Sequence, residues 1–333
     1  MSRLRDAVRL LKARPRLVAA IQLLVFAVFI VSIGWAVRGT LESAGDDLRH
    51  ANGVDFLLAC VAIAAYYLLF VLGWMRILAD WNLPLGYTQA LQSEMVSMLA
   101  KYVPGGVWTP AARVLAARRY GITDAGLVTA SMLIEAGTSA VAGVLVFVLS
   151  LTWTHGVGGW IVPLVLVFGL VVAVLVQPSV FQPLATRVLR RLGRPPLPPL
   201  HRATLVFLLF YYSFTWLVGG TGLWLLLRSV GAHPGVSAVV FLGGTSCVGA
   251  IVAVLFVVAP SGLGVREGSM YGVMLAIASA PHALSAVALN RVAITLIEIL
   301  LALVGGFVLR RRSEQGAADG RAPAAQERLD LGG

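Results

Sequence analysis

The sequence predicts an all-α polytopic membrane protein: about six full transmembrane helices plus two re-entrant broken hairpins, or eight spans, built as an inverted repeat. Three observations lead there. Of 333 residues, 59% are hydrophobic and only 12% charged, with a mean hydropathy of +0.87, whereas a soluble domain carries about 25% charged residues. Several apolar runs each exceed the ~18 residues needed to cross a bilayer. The basic residues sit in short clusters beside those runs, where they set orientation and touch anionic head groups. This composition excludes a soluble enzyme, a disulfide scaffold and a disordered chain. For the same reason the net charge of +11 does not indicate nucleic acid. Cys60 and Cys247 lie inside apolar runs and read as small core residues.

Taken in order, residues 1–16 form a basic cytoplasmic N-terminus carrying Arg3, Arg5, Arg9, Lys12, Arg14 and Arg16. The first span, 17–37, is too long for the ~7–15-residue core of a cleavable signal and reads as a retained anchor. Further spans follow at 56–78, 124–153, 157–177, 203–228 and 284–309. The connection holding Asp46, Asp47 and Asp55 suits the outside. The loop 178–202, with Arg187, Arg190, Arg191 and Arg194, and the cluster Arg310 to Arg312 suit the cytoplasm. Pro195 to Pro199 reads as a stiff connector, and 310–333 as a disordered cytoplasmic tail. Both termini are expected inside, in the plasma or inner membrane.

Two segments remain, 88–119 and 236–281. Charge parity requires each to cross an even number of times. The first is a re-entrant pair interrupted at Pro104-Gly105-Gly106, or an amphipathic surface segment. The second is a pair broken at Pro260-Ser261-Gly262, or two full spans. If both are re-entrant, the transmembrane domain 17–309 divides into pseudo-repeats 17–153 and 157–309 of one plan: span, span, broken hairpin, span. Each half then crosses three times, so the second is inverted, as in many transporters.

The breakers carry the chemistry. The first runs Lys101-Tyr102-Val103-Pro104-Gly105-Gly106 and on to Arg113; the second runs Pro260-Ser261-Gly262-Leu263-Gly264-Val265-Arg266-Glu267. Proline and glycine end a helix and leave the next helix's first N–H groups unpartnered, which attracts anions, and a nearby arginine adds a full charge and a fork of donors. A phosphate fits such a site, although a merely kinked helix would give the same strings. Glu135 and Glu298 lie deep in the third and last spans, Arg291 is in the last, and Arg76 and Glu94 fall near an interface. Charges at depth cost about 2.5–3.5 kcal/mol each, so they pair or face a cavity. Arg266 with Glu267, and Arg291 with Glu298, are candidate ion pairs or brackets for a polar guest. Protonation of Glu135 or Glu298 is a candidate means of coupling to the proton gradient.

The run from Lys101 to Arg113, Arg119-Tyr120-Gly121, the span bearing Glu135 and the Pro260 to Gly268 motif together resemble the lysylphosphatidylglycerol synthase transmembrane (flippase-like, UPF0104) family over roughly 17–309. Ser261 departs from the family's usual second Pro-Gly-Gly. Such relatives pair a lipid-moving membrane part with a soluble domain that charges phosphatidylglycerol from aminoacyl-tRNA. With only residues 310–333 after the last span, the translocation half alone carries over.

The resemblance implies a flippase-like transporter of phospholipid, with no cofactor or metal. An anionic head group, phosphatidylglycerol-like or polyprenyl-phosphate-linked, would enter a midplane cavity. Its expected binding residues are Lys101, Pro104, Gly105, Gly106, Arg113, Pro260, Gly262, Gly264, Arg266, Glu267 and Arg291, with Glu135 and Glu298 lining the path. Neither a P-loop nor a hydrolase or metal motif occurs, and the five histidines fall mainly in connections, so the chain reads as a non-enzyme. Alternatives are a scaffold or regulator of a separate lipid-modifying enzyme and, less favoured, an intramembrane lipid-phosphate transferase.

Overall fold

The computed structural model describes residues 45–101, 108–154, 161–191, 193, 196–255 and 262–319. The first predicted span and the residues Pro104, Gly105, Gly106, Pro260 and Ser261 lie outside the described residues. Among the described residues the helices run α1 (Gly53–Asp80), α2 (Tyr87–Ala100), α3 (Trp108–Arg118), α4 (Ala125–Ser150), α5 (Ile161–Val176), α6 (Pro178–Arg191), α7 (Arg202–Ser229), α8 (Ala238–Leu255), α9 (Val265–Met274) and α10 (Ala280–Asp319).

Among the described residues five helices are long and apolar enough to cross a membrane: α1, α4, α7, α8 and the Ala280–Val304 part of α10. The chain is an all-helical polytopic membrane protein. The predicted spans 56–78, 124–153 and 203–228 correspond to α1, α4 and α7, whose ends have local causes. Asn52 caps α1, its Oδ1 accepting from the Val54 and Asp55 N–H groups at 2.9 and 3.4 Å. Asp124 caps α4 in the same way through Gly126 and Leu127.

Three features differ from expectation. The stretch after Gln177 is not a loop: α5 turns by 70° into α6. Pro178 tolerates the first helical position, and α6 places Phe181, Ala185 and Leu189 against the core while Arg190 and Arg191 end it. The last helix continues through Arg310 to Asp319, with no proline to end it and Gly316 accommodated within it. Of the second broken segment, α8 alone is long enough to cross, whereas α9 has ten residues, ~15 Å of helix.

Each broken segment folds as a pair: α2 packs on α3, and α8 on α9. The other contacts come in reciprocal sets. α1 packs along α7; α4 packs on α7 and α8, and α10 on α1 and α2; α3 packs on α4, and α9 on α10. Exchanging the two halves maps each of these contacts onto another, whereas those of α5 with α4 and α6 have no counterpart among the described residues. The central pair α1/α7 is antiparallel. Asn52 N–H donates to Ser229 O at 2.7 Å at one end, and at the other Asp80 accepts from His201 N–H at 2.9 Å and Thr204 Oγ1 at 2.8 Å. Small residues allow the closest approaches: a Cβ on Gly220 would stand 2.3 Å from the Val239 carbonyl oxygen, so α7 and α8 meet backbone to backbone.

Candidate functional site

Two groups of charged side chains lie inside this bundle. The first surrounds Arg113, which α3 carries inward to 3% exposure. Its Nη2 meets Glu94 Oε1 of α2 at 2.5 Å, its Nη1 meets Glu135 Oε2 of α4 at 3.2 Å, and its Nε donates to Ser97 Oγ at 2.9 Å. The guanidinium lies over the Trp74 ring, 4.6 Å from its centroid, and the Trp74 indole N–H donates to Ser131 Oγ at 2.9 Å. A desolvated arginine stacked on an indole and held by two carboxylates and a hydroxyl has three of its five N–H donors engaged and its charge more than matched.

The group is unbalanced. One guanidinium faces two carboxylates, and Glu94 Oε2 and Glu135 Oε1 are buried without a partner. The Tyr212 hydroxyl from α7 stands beside Glu135, wedged over Gly73 of α1.

The second group lies between the end of α2 and helices α9 and α10. Lys101, one residue past α2, pairs with Glu298 of α10, and the Tyr67 hydroxyl donates to the same Oε1 at 2.6 Å. Arg291 Nη1 meets Glu267 Oε1 at 3.2 Å. The other oxygen of Glu267 accepts from the Gly264 N–H at 2.6 Å, so this side chain caps its own helix. Gly264, at φ +82°, and Gly262, at φ +65°, make the left-handed turn into α9. The expected pairings are therefore exchanged: Arg291 takes Glu267, Glu298 takes Lys101, and Arg266 has no carboxylate partner among the described residues. Arg266 is half-buried, its stem against Gly249 of α8 and its Nε without a hydrogen bond.

An aromatic wall on α1 stands between the groups. Tyr66, Tyr67 and Phe70 pack edge-on or tilted with Tyr212 and Trp216 of α7, at centroid separations of 4.9–5.8 Å. Tyr66 is within electrostatic range of Arg266 on one side and of Glu94 and Glu135 on the other. It also lines an apolar cavity of about 490 Å³ with Phe70, Leu133, Trp216, Cys247 and Val254. A second apolar cavity of about 620 Å³ shares Leu133, Phe181 and Leu184 with it and continues along α4 to Ala125. From Ala125 to Ala140 the two cover ~22 Å of helix length.

Of the expected binding residues, the structure gathers Lys101, Arg266, Glu267 and Arg291 on one side of the wall and sets Arg113 on the other. Four contributors were not singled out from sequence: Glu94 as a partner of Arg113, together with Ser97, Trp74 and Tyr67. A polar run in α2, Gln92, Ser93, Glu94 and Ser97, is buried, and that polarity within a membrane segment was the available signal.

No curated protein matches the chain. A family described as the Lysylphosphatidylglycerol synthase TM region matches residues 19–303, an interval that takes in both broken helix pairs and every charged group above, and the chain belongs to that family.

Proposed function

We propose that the chain binds an anionic lipid head group at Arg266, flanked by Lys101 and Arg291, and moves that lipid between leaflets. The observation carrying this reading is the state of Arg266: an arginine held half-buried inside a membrane bundle with no acid to pair with among the described residues. Leaving a cation so placed is costly unless a guest completes it. Lys101 and Arg291 lie within electrostatic range of one another, and each is already paired, so they add positive potential at the site. A guanidinium offers two parallel donors to a phosphate. The tyrosine wall and apolar cavities beyond Tyr66 supply the complementary part, a place for a hydrocarbon tail next to a cationic place for its head. Membership of the family supports a role in membrane lipid chemistry. Phosphatidylglycerol-like and polyprenyl-phosphate lipids both meet this description.

The test is leaflet transfer of fluorescently labelled phosphatidylglycerol in proteoliposomes, followed by chemical quenching of the outer leaflet. Wild-type protein should move the lipid, and Arg266→Ala should lose transfer while keeping its elution position and melting temperature. Equal rates reject the site.

A further inference from the structure

The interior charges point one step further, on a geometry of their own. Across the broken pairs and helices α4 and α10, four cations (Lys101, Arg113, Arg266, Arg291) equal in number four carboxylates (Glu94, Glu135, Glu267, Glu298), and all of them but Arg266 are in ion pairs. If all are ionised the whole is neutral, but not locally. The Arg113 group holds one carboxylate in excess, and the Arg266 group one cation in excess. A phosphate diester arriving at Arg266 cancels that cation and leaves the interior with one negative charge uncompensated. In a medium of low dielectric such a charge is removed by taking up a proton.

Geometry selects the acceptor. Glu267 has both oxygens engaged, by Arg291 and by the Gly264 N–H. Glu298 is held by the Lys101 ammonium and the Tyr67 hydroxyl. Glu94 and Glu135 share one guanidinium, and each keeps a buried oxygen without a partner. Two carboxylates competing for one cation is the arrangement in which one readily binds a proton.

Among the described residues the groups facing this pair do not supply another unpaired cation. From α1 come Trp74 and the neutral phenols Tyr66 and Tyr67; from α7, Tyr212 beside Glu135; from α8, Cys247, whose thiol donates to the Ala140 carbonyl at 3.7 Å. From α2 Lys101 is within electrostatic range of Glu94 but is paired to Glu298 of α10, and from α9 Arg266 is the site the phosphate itself fills.

We propose that the Glu94 and Glu135 pair takes up one proton when an anionic lipid phosphate binds at Arg266, so that lipid and proton move together. The proton adds to a lone pair on Glu94 Oε2 or Glu135 Oε1 to give a carboxylic acid. Arg113 keeps its charge and the remaining carboxylate. This rests on the lipid-binding reading above.

The experiment uses the full chain in detergent, weakly buffered, with soluble short-chain phosphatidylglycerol as the probe. Binding is read by tryptophan fluorescence and proton uptake by an indicator dye. About one proton should be absorbed per lipid bound, and affinity should tighten by about tenfold for each pH unit lowered over the range where the pair is deprotonated before binding. In Glu135→Gln and in Glu94→Gln the surplus carboxylate is already neutral. Both variants should bind without proton uptake, show no pH slope and bind more tightly than wild type at alkaline pH, which a merely structural role would not produce. Lipid binding by wild type without proton uptake or pH slope overturns the proposal and leaves the Arg266 site standing; no lipid binding at any pH overturns both. A slope that persists in both glutamine variants moves the proton elsewhere and overturns the assignment.

Discussion

Replacing Arg113 with Met keeps most of the side chain's length and removes its charge from a position only 3% exposed. Two carboxylates, at 2.5 and 3.2 Å from the lost nitrogens, are then buried with no cation between them. Truncating one partner of a buried pair costs about 3–5 kcal/mol. An independent bound follows from neutralising the carboxyls instead: against an ordinary Glu value near 4.3, holding one protonated at pH 7 costs about 3.7 kcal/mol, and two about 7. The cation–π contact with Trp74 adds roughly 1 kcal/mol to the loss. A destabilisation of about 4–7 kcal/mol is expected at neutral pH.

The sign of its pH dependence is fixed by the same reasoning. The variant's folded state holds protons that its unfolded state releases above about pH 4.3, so its stability rises as pH falls. At pH 5 the cost shrinks to about 1 kcal/mol per carboxyl. Thermal unfolding of the purified protein in detergent, followed by intrinsic tryptophan fluorescence at pH 7 and pH 5, measures both effects. Arg113→Met should melt well below wild type at pH 7 and recover much of the gap at pH 5. The charge-free triple variant with Glu94→Gln and Glu135→Gln should recover it at both. If Arg113→Met melts with wild type at pH 7, or if the triple variant is no better than the single, the group is not a buried charge triad.

Two further outcomes test the frame around the sites. Gly220→Val should separate α7 from α8, because its Cβ would fall 2.3 Å from the Val239 carbonyl oxygen; a loss of about 1–3 kcal/mol or more is expected, seen as a lower melting temperature and aggregation on size exclusion. Gly262→Ala should cost about 1–2 kcal/mol for the left-handed backbone at φ +65°, besides pressing on Ala253 at 2.3 Å. Because that turn also positions Arg266, lipid transfer should fall more steeply than thermal stability, and an unchanged transfer rate would detach the turn from the site.

The long helices were readable because their lengths answer to the bilayer: α1, α4 and α7 end within three residues of the apolar runs 56–78, 124–153 and 203–228. The interruptions were readable because proline and glycine act on their own backbone, and α2/α3 and α8/α9 indeed flank them. Amphipathic α6 was harder, since its prolines and arginines have the composition of a basic loop and its apolar side counts only once α4 is there to receive it. Charge partners were not readable at all. Nothing in the spacing of 94, 113 and 135 says that one arginine will meet both acids, and Arg291 and Glu298, two turns apart on one helix, find partners, Glu267 and Lys101, that only the packed helices bring near.

Those exchanged partners break the likeness of the halves where it bears on function. Each half ends in a helix with one buried carboxylate, Glu135 on α4 and Glu298 on α10. By strict repetition each would be served by a cation from its own broken pair. Both are served by the first pair instead: Arg113 on α3 holds Glu135, and Lys101 after α2 holds Glu298. The α2/α3 pair thus fastens both α4 and α10, while the α8/α9 pair spends Glu267 on its own cap and on Arg291 and leaves Arg266 without an acid among the described residues. A pair tied on both sides resists displacement, whereas one whose arginine has no such acid gains most from a bound anion. On the proposed reading, a lipid phosphate would bear directly on the α8/α9 pair, and would reach the α2/α3 pair through the charge that Lys101 and Glu298 share between them.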